Sequence, residues 1–315
     1  MVDMIVTPRG TDRVAPRSVR RGSNERPIWA GPANPVISLL KVAVIAAILL
    51  IMLYPFAYVI LQSFAAPDAR LIGGLVPSHL DLSSYRTILA GGVVTRAMMV
   101  SIAITSLGTL LSLAVTTTLA YGLTKTRQVP GTRFALYLVL VTMLFSAGII
   151  PNYLLVKGLG LLDSYWSLIL PTMASAFNVV VMRNFFMQLP AELLDAARVD
   201  GASEWNIFLR VVLPLSKAVI AVIGLFYAVS YWNSFFNALL YLNDASKWPI
   251  QLVLNTYVLQ GTAMIQIDNP DMQAVPSSQA VQMGVVVIAT LPILVLYPFV
   301  QKYFTKGVLT GAIKG

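Results

Sequence analysis

Residues 188–217 read QLPAELLDAARVDGASEWNIFLRVVLPLSK, a polar segment between two long apolar stretches. Pro190 suits the first turn of a helix, where its missing N–H costs nothing. Gly201 can adopt the left-handed conformation that ends a helix, and Ser203 can cap the helix that follows. The second helix carries an apolar stripe at helical spacing, formed by Trp205, Phe208, Leu209 and Val212. The segment therefore predicts a helical hairpin at about 188–217, closed by a glycine turn.

The rest of the chain is too apolar for a soluble domain. Of its 315 residues, 57% are hydrophobic and 11% are charged, whereas soluble domains are typically about 25% charged. A helix needs roughly 20 mostly apolar residues to cross a bilayer. Six stretches meet that requirement: 35–62, 97–123, 134–156, 165–187, 215–240 and 282–303. We therefore expect an all-α integral membrane protein with about six transmembrane helices in the lipid bilayer.

The basic residues indicate how the chain is oriented. Residues 1–35 are rich in arginine, and basic clusters follow the second and sixth stretches, formed by Lys125, Arg127, Arg133, Lys302, Lys306 and Lys314. With the amino end inside, all these clusters lie in the cytoplasm. We expect residues 1–35 to be a mostly disordered cytoplasmic arm, residues 36–315 to be the transmembrane domain, and both termini to be cytoplasmic.

The net charge of +9 could also suggest a nucleic-acid partner. Basic flanks of a first membrane span are a common topogenic signal, however, and they account for this charge. We therefore expect no nucleic acid to bind.

Several kinds of chemical site lack the residues they need. The chain has no cysteine, and its one histidine is His79, so multi-histidine zinc sites and thiolate sites are excluded. It contains no G-x-x-x-x-G-K-[ST] segment, so any ATP must bind elsewhere. Neither a nucleophile with a base nor paired carboxylates within a span is apparent. We expect no enzyme activity, no catalytic residue, no metal and no cofactor in this chain.

The hairpin is more acidic than the positive-inside rule favours for a cytoplasmic loop. It holds four of the chain's 13 acidic residues, namely Glu192, Asp195, Asp200 and Glu204. Ala196 and Ala197 leave one side of its first helix shallow enough for another backbone to approach. The residues alone leave two interpretations open: docking to a partner protein, or an interfacial hairpin that only seats the fifth span.

The hairpin resembles the cytoplasmic signature of type I ABC importer permeases. That signature reads E-A-A, three residues, G, nine residues, I, one residue, L-P. The matching positions in this chain are Asp195, Ala196, Ala197, Gly201, Val211, Leu213 and Pro214. Aspartate replaces the family's glutamate and valine its isoleucine, so the carboxylate is kept on a side chain one methylene shorter.

Two further segments are similar to the carbohydrate branch of this binding-protein-dependent permease family. Residues 231–244 read YWNSFFNALLYLND, which resembles its fifth-span signature. Residues 297–315 read YPFVQKYFTKGVLTGAIKG, which resembles the tails of multiple-sugar, lipoprotein-dependent and polygalacturonan-type permeases. The resemblance covers about residues 36–315 and implies a MetI-like permease fold in the cell inner membrane.

The resemblance also implies a function and a set of partners. Such permeases pair with a second, homologous permease, and the hairpin sits in a cleft on one of two copies of a cytoplasmic ATP-binding subunit, which hold ATP and magnesium. An extracytoplasmic solute-binding protein delivers the carbohydrate. We therefore expect an ATP-driven importer that works by alternating access, coupled to the ATPase through the seven signature positions.

Four residues of the fifth stretch are candidates for the substrate path: Trp232, Asn233, Phe236 and Asn237. Aromatic faces can stack on the C–H faces of sugars, and amides can hydrogen-bond to hydroxyl groups. Buried polar residues in spans also bond neighbouring helices, so both roles remain open. The same two roles remain open for Asn152, Asn178 and Asn184.

The alternative function is that of an ATP-independent secondary transporter or a membrane scaffold. A transporter coupled to protons or sodium usually carries ionisable residues inside its spans. The second, third and fifth stretches have no acidic residue in their interior, which counts against it. Only the importer interpretation requires the hairpin signature at 195–214.

Overall fold

The computed structural model describes residues 35–66, 69, 71–72, 76–90, 92–126, 128–260 and 278–312. The predicted basic arm lies outside these residues, apart from Pro35. Contacts within the chain separate two units, Met1–Tyr54 and Pro55–Gly315. The described part of the first unit is the apolar beginning of helix α1 (Pro35–Ser63), and its side chains are exposed up to Tyr54.

Apart from loops and turns, the described residues of the second unit are helical, with one small antiparallel pair of strands, β1 (Leu71–Ile72) and β2 (Val76–Pro77). The helices after α1 are α2 (Ser83–Ala90), α3 (Val93–Thr124), α4 (Thr132–Leu144), α5 (Ile149–Gly158), α6 (Trp166–Ile169), α7 (Ala176–Met187), α8 (Ala191–Val199), α9 (Glu204–Ile207), α10 (Leu213–Leu215), α11 (Lys217–Trp232), α12 (Phe235–Tyr241), α13 (Ile250–Gln260) and α14 (Ser278–Ala312). Short 3-10 turns lie at Leu170–Thr172 and Ala245–Lys247. The predicted all-α fold is confirmed.

Two of the described helices, Pro35–Ser63 and Val93–Thr124, are each long and apolar enough to cross a membrane. The number rises to four if each of two bent pairs is one broken span. These pairs are Trp166–Thr172 with Ala176–Met187, bent by 50°, and Glu204–Leu215 with Lys217–Trp232, bent by 82°. Shorter apolar helices occur at Thr132–Leu144, Ile250–Leu259 and Gln279–Val295. Several of the predicted stretches are thus interrupted helices.

The predicted third stretch, 134–156, shows how such an interruption arises. Helix α4 ends at Leu144, and Phe145 is extended, with φ −121° and ψ 120°. Gly148, with a φ of +82°, stands directly before α5. Because glycine has no Cβ, it adopts this positive φ without a steric penalty, and the stretch is divided there into two helices.

Helices α3 and α11 form the centre of the second unit and run antiparallel. Tyr231 and Tyr227 of α11 reach Ser112 and Thr116 of α3 with oxygen–oxygen distances of 2.8 and 2.7 Å. Gly108 lets the Tyr231 ring lie close to α3, because a Cβ there would be 2.8 Å from two ring carbons. Small and hydroxyl-bearing residues at such a contact are typical of helix packing in membranes.

A second hydrophobic cluster joins the amino-terminal part of α3 to α2, α13 and α14. The Trp232 indole donates a hydrogen bond to the Ala289 carbonyl oxygen at 3.2 Å. Ser101 Oγ accepts the backbone N–H of Ile250 at 2.7 Å. The buried members of the cluster are Ile88, Val94, Ala97, Trp232, Ile250, Val253, Tyr257, Val281, Val285 and Ala289.

Candidate functional site

The predicted hairpin is present, with α8 and α9 as its first two helical segments. Gly201, at the turn between them, has a φ of +78°, which confirms the predicted left-handed turn. Ser203 Oγ accepts the backbone N–H of Asn206 at 3.3 Å, which confirms the predicted cap. Pro190 has a ψ of 123° and precedes α8. Its extended ψ keeps it outside the helix, whereas the sequence suggested a place in the first turn.

The predicted apolar stripe of the second helix is only partly buried. Phe208 and Val212 are buried, but Trp205 is 58% exposed and Leu209 is 42% exposed. The segment Phe208–Val212 forms a π-helix. Because a π-helix has more residues per turn than an α-helix, the α-helical spacing does not hold across this segment.

The seven predicted coupling positions separate into two groups. The exposed positions are Asp195, Ala196, Gly201 and Pro214. The partly buried positions, which pack against the main core, are Ala197, Val211 and Leu213. The structure therefore leaves one part of the signature accessible to another protein, while the other part fixes the hairpin to its own chain.

Glu204 joins the hairpin to the end of α3. Its carboxylate accepts a hydrogen bond from the Tyr121 hydroxyl at 2.6 Å and pairs with the Lys125 ammonium at 3.2 Å. On the other side, Arg198 pairs with Glu204 at 2.9 Å and with Asp195 at 2.6 Å. A continuous chain of charged and polar groups thus runs from the exposed Asp195 to the end of α3.

The sequence predicted Glu204 only as one of the hairpin's acidic residues and Lys125 only as part of a cytoplasmic basic cluster, and it gave no role to Tyr121 or Arg198. One signal was available, since the four-residue spacing of Tyr121 and Lys125 places both side chains on one side of a helix. The sequence gives no sign, however, that this side meets a carboxylate 83 positions after Tyr121.

Partial burial raises the pKa of the Glu204 carboxyl, but hydrogen bonds from Tyr121, Arg198 and Lys125 outweigh this effect and lower the pKa to about 2. The carboxylate is therefore ionised at neutral pH and holds its three partners together. Half of the side chain is exposed, so solvent screens each of its ion pairs.

Helix α7, which leads into the hairpin, is also tied to the end of α3. Arg183 donates from Nε to the carbonyl oxygen of Leu123, which lies 2.8 Å away in the last turn of α3. Carbonyl groups at a helix carboxyl end lack intrahelical partners, and a guanidinium satisfies one of them. The end of α3 is thus held by α7 and by the hairpin.

Two neighbouring cavities lie along α11, and the larger of them also touches the start of α7. The larger, of about 520 Å³, is lined by Thr172, Ala174, Ser175, Phe177, Asn178, Phe226, Tyr227, Ser230 and Tyr231. The smaller, of about 220 Å³, is lined by Thr172, Ser230, Tyr231, Asn233, Ser234, Phe236 and Asn237. The two cavities have three lining residues in common, so together they form one continuous surface along α11.

Both cavities lie where helices are interrupted. The 3-10 turn after α6 ends at Thr172, and α7 begins only at Ala176. On the opposite side, α11 ends at Trp232 and α12 begins at Phe235. Irregular backbone at membrane depth is tolerated where it is buried in protein or lines a cavity, and transporters commonly bind substrates at such breaks.

Tyr227 and Tyr231 hold the interrupted segments in place. The Tyr227 hydroxyl accepts the backbone N–H of Ser175 at 3.0 Å, in the break before α7. The Tyr231 hydroxyl lies 3.4 Å from the carbonyl oxygen of Ile169, at the end of α6. Because both hydroxyl groups also bond to α3, each tyrosine joins three helical segments, and the cavity wall is held by hydrogen bonds.

The predicted substrate-path residues are not all in one place. Asn233, Phe236 and Asn237 line the smaller cavity, and Asn233 Nδ2 also donates to the Val229 carbonyl oxygen at 2.9 Å. Trp232 is buried, lines neither cavity, and bonds to α14. Of the three other asparagines, Asn178 lines the larger cavity, whereas Asn152 and Asn184 line neither. Contact with a sugar stays a prediction for all of them.

A second charged cluster connects two loops far along the chain from each other. Asp163, which has a φ of +58°, accepts the backbone N–H groups of Asn243 and Asp244 at 3.2 and 3.0 Å. Its other carboxylate oxygen pairs with Lys247 Nζ at 2.9 Å. The hydrogen bond from the Asp244 backbone N–H, together with the bond from Lys247, lowers the pKa of the Asp163 carboxyl. The loop before α6 is thus fastened to the loop after α12.

Comparison with known proteins gives relatives that extend along most of the chain. Protein LplC of Bacillus subtilis is 46% identical over 288 residues, which is 91% of this chain and 96% of the relative. The polygalacturonan/rhamnogalacturonan transport system permease protein YtcP of the same organism is 44% identical over 270 residues, 84% of this chain and 94% of the relative.

A solved structure shares the fold as well. A chain from a bacterial ABC transporter involved in the import of the acidic polysaccharide alginate superposes with a TM-score of 0.80 at 30% identity, covering 89% of this chain and 100% of its own. This similarity confirms the predicted importer permease fold.

The family model described as "Binding-protein-dependent transport system inner membrane component" matches residues 97–310, more than half of the chain. This range contains the hairpin, both cavities and α14 as far as residue 310. The chain therefore belongs to the family of binding-protein-dependent transport system inner membrane components, the permease family that the hairpin signature predicted.

Proposed function

We propose that this chain is one permease subunit of an ATP-driven ABC importer for an oligosaccharide or another carbohydrate. The observation that carries the proposal is the hairpin, in which exposed signature positions are attached to the end of α3 through Glu204. An element of this kind can pass the motion of a docked partner to a membrane helix as a rigid body.

The docking partner in this proposal is a cytoplasmic ATP-binding subunit, present in two copies and carrying ATP and magnesium. The exposed positions Asp195, Ala196 and Gly201 form its contact surface. Ala196 and Gly201 have little or no side chain, so they allow close approach of a partner backbone. Asp195 presents a carboxylate, and its present partner Arg198 is on the same helix.

The carbohydrate in this proposal follows from the relatives and from the cavity. The relatives include permeases named for polygalacturonan/rhamnogalacturonan and for arabinooligosaccharides. The two cavities combine hydroxyl and amide groups with the aromatic rings of Phe236, Phe177 and Phe226. Sugars are bound by this combination of polar and aromatic groups, so the cavities suit a substrate path that opens alternately to the two sides of the membrane.

The remaining partners are a second homologous permease and an extracytoplasmic solute-binding protein. A transporter structure with 15% identity and a TM-score of 0.54 was solved in complex with a periplasmic protein that holds an alginate pentasaccharide. We infer the same type of delivery for this chain, with the hairpin and both termini cytoplasmic and the Asp163–Lys247 cluster on the opposite side.

Purification of the tagged chain from membranes in mild detergent, followed by mass spectrometry, tests this assembly. We expect an ATP-binding subunit and a second permease to purify with it. In a parallel preparation, Ala196→Trp places a bulky ring on the exposed face of α8 and should remove the ATP-binding subunit. Ala191→Trp, at the exposed start of α8 and outside the signature, should leave it bound.

Recovery of the chain alone in several mild detergents would favour an ATP-independent transporter or a scaffold. Equal recovery of the ATP-binding subunit with both tryptophan variants would show that the exposed signature positions do not form the docking surface.

A further inference from the structure

We propose that Asn178 and the amino-terminal end of α7 form a subsite for the carboxylate group of an acidic sugar. The inference rests on the proposed function, because it assigns a substrate class to the cavity of the importer. It goes beyond that function in naming the atoms that would bind the charged group.

Asn178 is a buried amide without a partner. Its exposed fraction is 5%, and the residue lines the larger cavity. Its backbone N–H is directed to Ser175 Oγ at 3.5 Å, but its side-chain amide has no hydrogen-bond partner among the residues that the structure describes. Neither amide atom is among the fully enclosed, unpartnered side-chain atoms of the described residues, so the amide opens into the cavity that the residue lines and can bond to what the cavity holds. A ligand in the cavity would supply that bond.

The end of α7 adds further donors at the same place. Helix α7 has 12 residues, and Ala174, Ser175, Phe177 and Asn178 at its start line the larger cavity. The first backbone N–H groups of a helix have no intrahelical acceptor. In the described part of the chain, no carbonyl accepts the N–H groups of Ala176 and Phe177. The helix dipole makes this end favourable for negative charge.

The composition of the cavity walls favours an anion over a cation. None of the residues lining the two cavities is Asp, Glu, Lys or Arg. An anionic group would therefore meet no repelling carboxylate there. It would meet donors from the Asn178 amide, the start of α7 and the Ser230 hydroxyl, which lies on the surface that the two cavities share. Without a lysine or arginine, binding stays weak enough for release, which transport requires.

The shape of the site suits a sugar acid in particular. The larger cavity, of about 520 Å³, also presents the rings of Phe177 and Phe226, whose centroids are 6.5 Å apart. An apolar ring face beside a cluster of donors matches a pyranose ring that bears a carboxylate. A compact phosphate group would use the donors but not the rings.

Competitive uptake by the assembled importer tests the proposal. The importer, purified with its co-purifying subunits and its binding protein, is placed in proteoliposomes with ATP. It is then supplied with a mixture of labelled trigalacturonate and the methyl ester of the same trisaccharide, at pH 8. The ratio of acid to ester taken up is measured, so that differences in the amount of active protein cancel.

We expect the native importer to prefer the acid. Asn178→Leu keeps the size of the side chain but removes its amide, and should lower the acid-to-ester ratio about threefold. Asn178→Asp adds a negative charge at pH 8 and should lower the ratio about tenfold, a difference of about 1.4 kcal/mol by the standard conversion. Asn184→Asp is the matched control: the same substitution on α7, at an exposed residue that lines neither cavity, should leave the ratio unchanged.

Two results would overturn the inference alone. They are an equal or greater uptake of the ester by the native importer, and ratios in the Asn178 variants that match the native ratio. In each case ATP-dependent uptake persists and the proposed importer function stands. If ATP drives no uptake of the acid, its methyl ester, an arabino-oligosaccharide or glycerol 3-phosphate, the proposed function and the subsite are overturned together.

Discussion

The Tyr121 hydroxyl lies 2.6 Å from the carboxylate of Glu204, and this contact joins the end of a long membrane helix to the hairpin. The Tyr121 ring also stacks on Phe208 of the hairpin, with ring centroids 5.1 Å apart. The contact is therefore both polar and apolar. A displacement of the hairpin by a docked subunit must move α3 or break these interactions.

Glu204→Gln should weaken this connection without unfolding the hairpin. The amide can still accept the Tyr121 hydrogen bond, but the ion pairs with Lys125 and Arg198 are lost. Each half-exposed pair contributes at most about 1 kcal/mol, which corresponds to about fivefold in an equilibrium. We expect more ATP hydrolysed per sugar imported, measured in proteoliposomes. Glu192→Gln, an exposed acidic residue of α8 outside the cluster, should leave the ratio as it is.

The contribution of the Glu204 ion pairs to stability should not depend on pH near neutrality. Because the folded-state pKa of Glu204 is lowered from 4.5 to about 2, its contribution to stability is fully present above the unfolded-state value and is lost as the pH falls toward about 2. Thermal unfolding of the native chain and of Glu204→Gln should therefore differ by a constant amount between pH 6 and 8. A difference that grew or vanished within that range would contradict this assignment.

Gly201→Ala should distort the turn of the hairpin. At a φ of +78° an alanine side chain is strained by roughly 1–2 kcal/mol, although space around the residue is open. We expect weaker retention of the ATP-binding subunit with normal membrane insertion, measured by co-purification. Gly158→Ala, in the last turn of α5 and also in open space, is the control and should retain the subunit fully.

Tyr227→Phe should loosen the break before α7. The change removes one hydroxyl that serves both Thr116 and the backbone N–H of Ser175. Leaving buried polar groups unpaired costs about 1–3 kcal/mol, so the purified protein should unfold at a lower temperature. Tyr137→Phe, on an exposed tyrosine of α4, should have no such effect. Equal melting temperatures for the two variants would show that the Tyr227 hydroxyl does not support the break.

Asn237→Ala and Trp232→Phe should separate the two roles predicted for their segment. Asn237 lines the smaller cavity, so its loss should raise the sugar concentration required for half-maximal uptake, with little change in stability. Trp232 bonds to Ala289 within the core, so its replacement should destabilise the protein by about 1 kcal/mol. Uptake and thermal unfolding of both variants measure the two effects. The opposite assignment of effects would show that Trp232, rather than Asn237, faces the substrate.

Asp163→Ala should release the loop after α12 from the loop before α6. The alanine cannot accept the N–H groups of Asn243 and Asp244 or pair with Lys247. Hydrogen exchange, measured by mass spectrometry on peptides covering residues 242–248, should become faster. Asp81→Ala changes an exposed aspartate whose hydrogen bonds are to its own loop, and exchange at 242–248 should stay slow. Because the pKa of Asp163 is lowered, the native clamp should persist at neutral pH and be lost only below the usual carboxyl range.

The sequence by itself determined the membrane class, the helical fold and the hairpin, because each depends on local properties. Apolar length decides whether a segment can cross a bilayer, and Gly201 and Ser203 act within a few residues of their own positions. The pattern at 195–214 has a fixed spacing, so it could be matched without knowing what it contacts. These features needed no information about distant parts of the chain.

Only the tertiary structure decided how the segments meet. The contact between Tyr121 and Glu204, the tyrosines that hold the break at Ser175, and the division between the buried Trp232 and the cavity-lining Asn237 all depend on how helices pack. The sequence left the same two roles open for the adjacent residues Trp232 and Asn233. In the structure, Trp232 bonds to α14 and Asn233 lines a cavity. A side chain's partner across a helix interface is set by the interhelical register, which no local pattern in one helix specifies.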